Sequence, residues 1–302
     1  MKNRYRKKSD AAHRYSDVSA RYSSTEILVA LHADKLPPPV AIDRLERTDR
    51  SGLVAAAELS VEQAVTATSF EKADPWISRA KTMYEKVART DATQSGCDEF
   101  SAKSLFALSQ LPLVAYLALF GKLPPPALIK PVFKSSVEVA AKINIATSRD
   151  TNPDYRHRKG CAGVLAEAGV ILLGQRYAIN DIGDGSWLPI HSLHSEDNKN
   201  RQHHSGENRS WDVTFFTQLG EEPQKDYLVQ VKNKEGGATH KYADGDADGI
   251  TRVHFHPQLT FRSERGHGLS NTVHEFVSEA QGDTAASRAL DERTGMLLEI
   301  LG

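Results

Sequence analysis

Along most of the first 150 residues apolar positions recur every third or fourth place, the period of a helix rather than of a strand. Residues 25–31 (TEILVAL) predict a short helix, ended by Pro37, Pro38 and Pro39. Ser60 reads as the N-cap of a helix over 60–65. Asp74 reads as the cap of the next helix, with Pro75 at its first position and Val87 near its end. On that helix Trp76, Ala80, Met83, Tyr84 and Val87 share one face. Residues 100–120 and 131–145 supply two more helices. The string KLPPP stands at 35–39 and again at 122–126, each time after an apolar helical pattern. Both copies read as turns that terminate helices; a helical-hairpin module for a protein partner is the other reading.

The texture changes after the polar stretch 149–158, which holds Asn152, Pro153 and Asp154. Residues 160–173 predict a helix stopped by Gly174, and 176–180 a short strand. A polar loop is expected over 191–210. Strands follow at 211–218 (WDVTFFTQ), 227–233 (YLVQVKN) and 250–256, with a turn at 244–249. Helices over 270–280 and 284–301 close the chain. The expected organisation is a basic N-terminus over 1–22, a helical region over 23–148 and an α+β or α/β domain over 149–302.

Composition narrows the class without choosing a function. Apolar residues make up 39% and charged residues 25% of 302 residues, with a net charge of -1. That balance suits a soluble globular chain and excludes a polycation that binds nucleic acid through bulk charge. Charge is uneven, however: residues 1–22 carry seven lysines and arginines (Lys2, Arg4, Arg6, Lys7, Lys8, Arg14, Arg21) against Asp10 and Asp17. This start reads as a solvated terminus or a phosphate contact. Cys97 and Cys161 lack metal-ligand spacing and make no disulfide framework, so a reducing cytoplasm is expected. The apolar stretch 111–119 is short for a membrane span and contains Pro112, so no membrane is expected as a partner.

Chemistry concentrates on the two central strands. Asp212 heads an otherwise apolar run. Gln230 and Lys232 are two apart and share a strand face, while Val229 and Val231 take the other. If the strands pair as a hairpin, a carboxylate, an amide oxygen and an ammonium come together. A surface ion pair beside a polar glutamine would leave the same pattern. Upstream, Glu167 is the one acid of an apolar helix.

The order Glu167, Asp212, then Gln230-Val231-Lys232 resembles the PD-(D/E)XK, or restriction-endonuclease-like, nucleases. The glutamine variant is similar to that of Mrr-type enzymes. The resemblance covers roughly residues 155–280 and departs from the pattern in having no proline before Asp212. Joined to the helical N-terminal region read from the periodicity, it implies a restriction-endonuclease-like mixed-sheet domain in the second half. It also implies a metal-dependent endonuclease acting on DNA, which would often work as a homodimer. Asp212, Gln230 and Glu167 are hard oxygen donors suited to Mg2+ or Mn2+, and Lys232 would orient the attacking water or neutralise developing charge. Glutamine for glutamate removes one negative charge and weakens the metal site unless Glu167 compensates. A non-catalytic binding module with a decayed site is the alternative this substitution favours.

Other features are weighed against simpler readings. Arg156, Arg158 and Lys159 precede the Glu167 helix and, with Lys234 and Arg176, suit a phosphate backbone. A charged helix flank accounts for them equally. Residues 244–249 (DGDADG) imitate the start of a calcium loop, but the twelfth position is Phe255, so a turn is the better reading. His191, His194, His203 and His204, with Glu196 and Asp197, read as a solvated loop near the substrate path. His254 and His256 share a strand face and either line the site or sit on a partly exposed sheet.

Overall fold

The computed structural model describes residues 23–32, 35–90, 97–149, 155–180, 188–191, 213–219, 222–231, 240–241, 251–255, 260–262 and 268–301. Among these, nine helices are present: α1 (Ser24–His32), α2 (Pro38–Leu45), α3 (Arg50–Val65), α4 (Phe70–Thr90), α5 (Glu99–Phe120), α6 (Pro126–Arg149), α7 (Tyr155–Asn180), α8 (Asn271–Ala280) and α9 (Thr284–Leu301). The strand segments are β1 (Leu188–His191), β2 (Val213–Leu219), β3 (Glu222–Val231), β4 (His240–Lys241), β5 (Thr251–Phe255), β6 (Thr260–Arg262) and β7 (Gly268–Ser270).

Several helix starts differ from the sequence expectation, each for a local reason. Ser60 is not a cap. It lies inside α3, fully buried, where its hydroxyl donates back to the Ala56 carbonyl at 2.7 Å. The cap is Asp49, whose carboxylate accepts from Gly52 N at 3.0 Å. Likewise Asp74 and Pro75 fall within α4, which already begins at Phe70. The two KLPPP strings start helices instead of merely ending them: Pro38 opens α2 and Pro126 opens α6. Proline is well suited to a first turn, where its missing N–H would have no partner. Leu36 and Leu123, the leucines of the two strings, are both buried and anchor these entries.

The first core cluster lies among α1 to α5, the start of α6 and Ala178 near the end of α7. The face read from the sequence is confirmed on α4: Ala80, Met83, Tyr84 and Val87 are buried, and Trp76 packs at the edge. Arg79, over the Trp76 ring, binds Glu46 and Asp43 and so ties α4 to the end of α2. Arg50, the first residue of α3, reaches Asp98, the N-cap of α5, and so couples two helix starts.

The second cluster crosses residue 149. Ala102 and Phe106 of α5 and Val137, Ala140 and Ile143 of α6 join most of α7, with Val273, Phe276, Leu290 and Leu297 from α8 and α9. Phe133 and Phe276 meet edge-to-face at 5.5 Å. Cys161 through Leu173 of α7 contribute nine buried side chains to this cluster. Burial over most of its circumference marks a central helix. Helices α5 and α7 are long and apolar enough to cross a membrane by length and composition, and 50% and 67% of those windows are buried inside the fold.

The expected helical region followed by a restriction-endonuclease-like mixed-sheet domain is therefore corrected. Of the residues whose side chains are described, 83% are helical and the one strand stretch is Val213–Phe216. The physical reason is visible in the second cluster. Val213, Phe215, Val229 and Val231 are the strand residues of a core built otherwise from helical side chains. A second correction concerns 174–180, expected as a glycine stop and a strand. Helix α7 runs through Gly174 to Asn180. There Gln175 donates to the buried Gln110 of α5, and Arg176 pairs with Glu279, so tertiary partners outweigh the glycine.

Candidate functional site

Helix α7 holds the first candidate residue. Glu167 is half-buried, between the fully packed Ala166 and Ala168. It shares its stripe with Gly163, one turn earlier. A Cβ added at Gly163 would meet nothing within 4 Å, so this stripe of α7 borders open space among the described residues. The rest of the helix is fixed. Gln175 is bound to Gln110, which in turn donates to Ser136 at 2.6 Å, and Arg176 is clamped at the C-terminal end.

Helix α7 packs against β2 and β3. Along the backbone these two strands pair antiparallel, with Val213 opposite Val229 and a register shift between Phe215 and Phe216. Strand β3 then runs parallel to β5, with Gln230 opposite His254, and His254 lies opposite His240 of β4. Gln230, His254 and His240 therefore occupy one register row across three neighbouring strands. Sequence reading had singled out His254 but not His240, which has no neighbour at a recognisable spacing; the register is the signal that finds it.

The remaining candidates fall differently. Asp212, Lys232 and Lys234 lie outside the described residues, as do His194, Glu196, Asp197, His203, His204, His256 and residues 244–249. Arg156, Arg158 and Lys159 lie in the opening turns of α7. Glu167 lies nine positions after Arg158, about 14 Å along a helix axis. Arg176 is not available to phosphate: its guanidinium is bound at 2.7 Å by Glu279 and at 2.7 Å by Asp291. Its pKa is raised above the usual arginine value by these carboxylates, against a burial that acts the other way.

Among the described residues no group of three or more His, Cys, Asp or Glu side chains gathers as a metal-holding cluster. Glu167 is thus the one carboxylate of the expected set whose side chain is described. Its carboxylate oxygens are of the hard type that suits a hard cation. Comparisons with known protein families, with curated proteins and with solved structures found no match to this chain.

Proposed function

We propose that the chain is a divalent-metal-dependent nuclease that hydrolyses phosphodiester bonds, with DNA as its substrate. The observation that carries this reading is the pairing of Val213 with Val229 on strands that pack against the Glu167 helix. In the sequence Asp212 adjoins Val213, and Gln230 adjoins Val229. The helix that carries Glu167 and the strand that carries Gln230 are thus in mutual contact, and Asp212 directly precedes, in sequence, a strand paired with the latter. Further support comes from the sequence, which places Arg156, Arg158 and Lys159 ahead of Glu167 on the same helix.

Asp212, Gln230 and Glu167 would hold Mg2+ or Mn2+, which supplies an acidified water and charge neutralisation at the phosphate. Lys232 holds or moves the proton of the attacking water, or meets the charge that develops on the phosphoryl oxygens. Arg156, Arg158, Lys159 and Lys234 bind the backbone of the nucleic acid. A cytoplasmic location and a homodimer that cuts both strands of a duplex belong to the same proposal.

The test is cleavage of plasmid, single-stranded DNA and RNA by the purified chain, with Mg2+, Mn2+ or EDTA. Asp212→Ala and Lys232→Ala should each lose at least about a hundredfold in rate with folding intact. Full activity in both variants overturns the assignment. One feature favours a second reading. Gln230 stands where an acid would bind metal more tightly, as expected of a binding module with a decayed site. That module would bind nucleic acid or protein equally well in EDTA and would cut nothing.

A further inference from the structure

Cys97 precedes the Asp98 cap of α5, and Cys161 lies 64 positions later on α7. The fold brings them together. The Cys161 thiol donates to the Cys97 carbonyl oxygen at 3.0 Å. A carbonyl oxygen lies about 2.4 Å from its own Cα, so the Cys161 sulfur is within about 5.4 Å of Cys97 Cα. The Cys161 sulfur therefore lies beside the Cys97 backbone, and a disulfide requires the Cys97 side chain to turn toward it, with Cα atoms about 4.4–6.8 Å apart.

The contact is made close by a glycine. A Cβ on Gly160 would lie 2.8 Å from Glu99 Cβ, so the start of α5 meets α7 beside the cysteines with the Glu99 side chain filling the space a larger residue would need. The pair is also asymmetric: Cys97 is partly exposed, whereas Cys161 is buried. Neither residue belongs to the proposed nuclease site.

We propose that Cys97 and Cys161 form a reversible intrachain redox couple, oxidised by a hydroperoxide to a disulfide that ties the start of α5 to α7. The Cys97 thiolate attacks the peroxide and breaks its O–O bond, giving a sulfenic acid; the leaving oxygen takes up the proton the Cys97 thiol released and departs as water (or the alcohol of an organic peroxide). The Cys161 sulfur then attacks the Cys97 sulfur. The S–S bond forms, the S–OH bond breaks, and the departing hydroxide takes the Cys161 proton as water. Two thiols lose two electrons, and the peroxide gains them. The Cys97 thiol beside it and the Thr147 hydroxyl hold the Cys161 thiol below its ordinary range. Burial, Asp98 and Glu99 oppose them. This favours Cys161 as the second nucleophile.

The experiment treats the full chain with hydrogen peroxide, blocks remaining thiols with N-ethylmaleimide and maps peptides without reduction. We expect a Cys97–Cys161 linked peptide in monomeric protein, removed by dithiothreitol. Cys161→Ala should stop at a Cys97 sulfenic acid that dimedone traps, and Cys97→Ser should leave Cys161 unoxidised. Both thiols alkylated after peroxide, a Cys97 bridge between two chains in place of the internal one, or direct oxidation of Cys161 in Cys97→Ser would each overturn the proposal. The wild-type map decides it even where Cys161→Ala fails to fold.

Discussion

Arg176 and Glu279 meet at 2.7 Å, and through this contact α7 holds α8; Asp291 reaches the same guanidinium from α9. The two pairs are unequal, because Glu279 is 27% exposed and Asp291 63%. We expect Glu279→Ala to cost about 1–3 kcal/mol, as for a hydrogen bond to a charged group left without its partner. Asp291→Ala should cost about 1 kcal/mol or less, as for a solvated surface pair. Urea unfolding of both variants measures the difference, and equal losses would refute the ranking.

Lys103 and Glu58 make the most deeply buried ion pair among the described residues, at 2.6 Å, with 21% and 5% of their side chains exposed. Replacing one partner strands a charge, while replacing both does not. Lys103→Met should therefore cost about 3–5 kcal/mol, and adding Glu58→Gln should restore most of it. Tyr84 is packed nearby, and its phenol is pushed well above its usual range by burial and by the Glu58 charge. Its ultraviolet titration should move back toward ordinary values in the double variant; an unmoved titration would show that burial alone sets it.

Asp49 caps α3 and should give acid sensitivity to that helix. Hydrogen bonds from Ser51 and Gly52 lower its pKa below 3.8. The folded value is depressed, so the contribution is present above the unfolded value and is lost as pH falls through the folded one. Asp49→Ala should remove about 1 kcal/mol at neutral pH. The gap between wild type and variant should close below pH 3.8. A gap that persists to lower pH would mean that the carboxylate charge plays no part in the cap.

Two glycines one turn apart on α7 should respond oppositely to alanine. At Gly160 the added Cβ would stand 2.8 Å from Glu99 Cβ, and at Gly163 it would meet nothing. Gly160→Ala is expected to destabilise by about 1–3 kcal/mol through overpacking. Gly163→Ala should stabilise by roughly 0.5–1 kcal/mol, the ordinary difference in helix preference. Thermal unfolding of both variants, compared side by side, decides the matter.

The sequence showed most where one physical signal acted alone. The amphipathic face of α4, the lengths of α5, α8 and α9, and strand positions near 213–219 and 227–231 follow from period and turn residues. It misled where two signals compete at one residue. A proline run both forbids the end of one helix and suits the start of the next, and the burial of Leu36 and Leu123 shows which role prevailed. Gly174 looked like a stop because the partners of Gln175 and Arg176 lie 65 and 103 positions away. The Cys97–Cys161 contact was invisible for the same reason: no spacing rule spans 64 residues. Of the candidate site, Glu167 was legible as a lone acid on an apolar helix, whereas the row through His240 needed the strand register.

The second core has a consequence for the order in which the protein is made. It contains Phe106 and Ile143 from early in the chain and Phe276, Leu290 and Leu297 from its last thirty residues. During synthesis the early members leave the ribosome well before the late ones exist. Phe106, Ile143 and the apolar flank of α7 must then wait uncovered, within reach of chaperones and of other nascent chains, until the final two helices arrive to close over them.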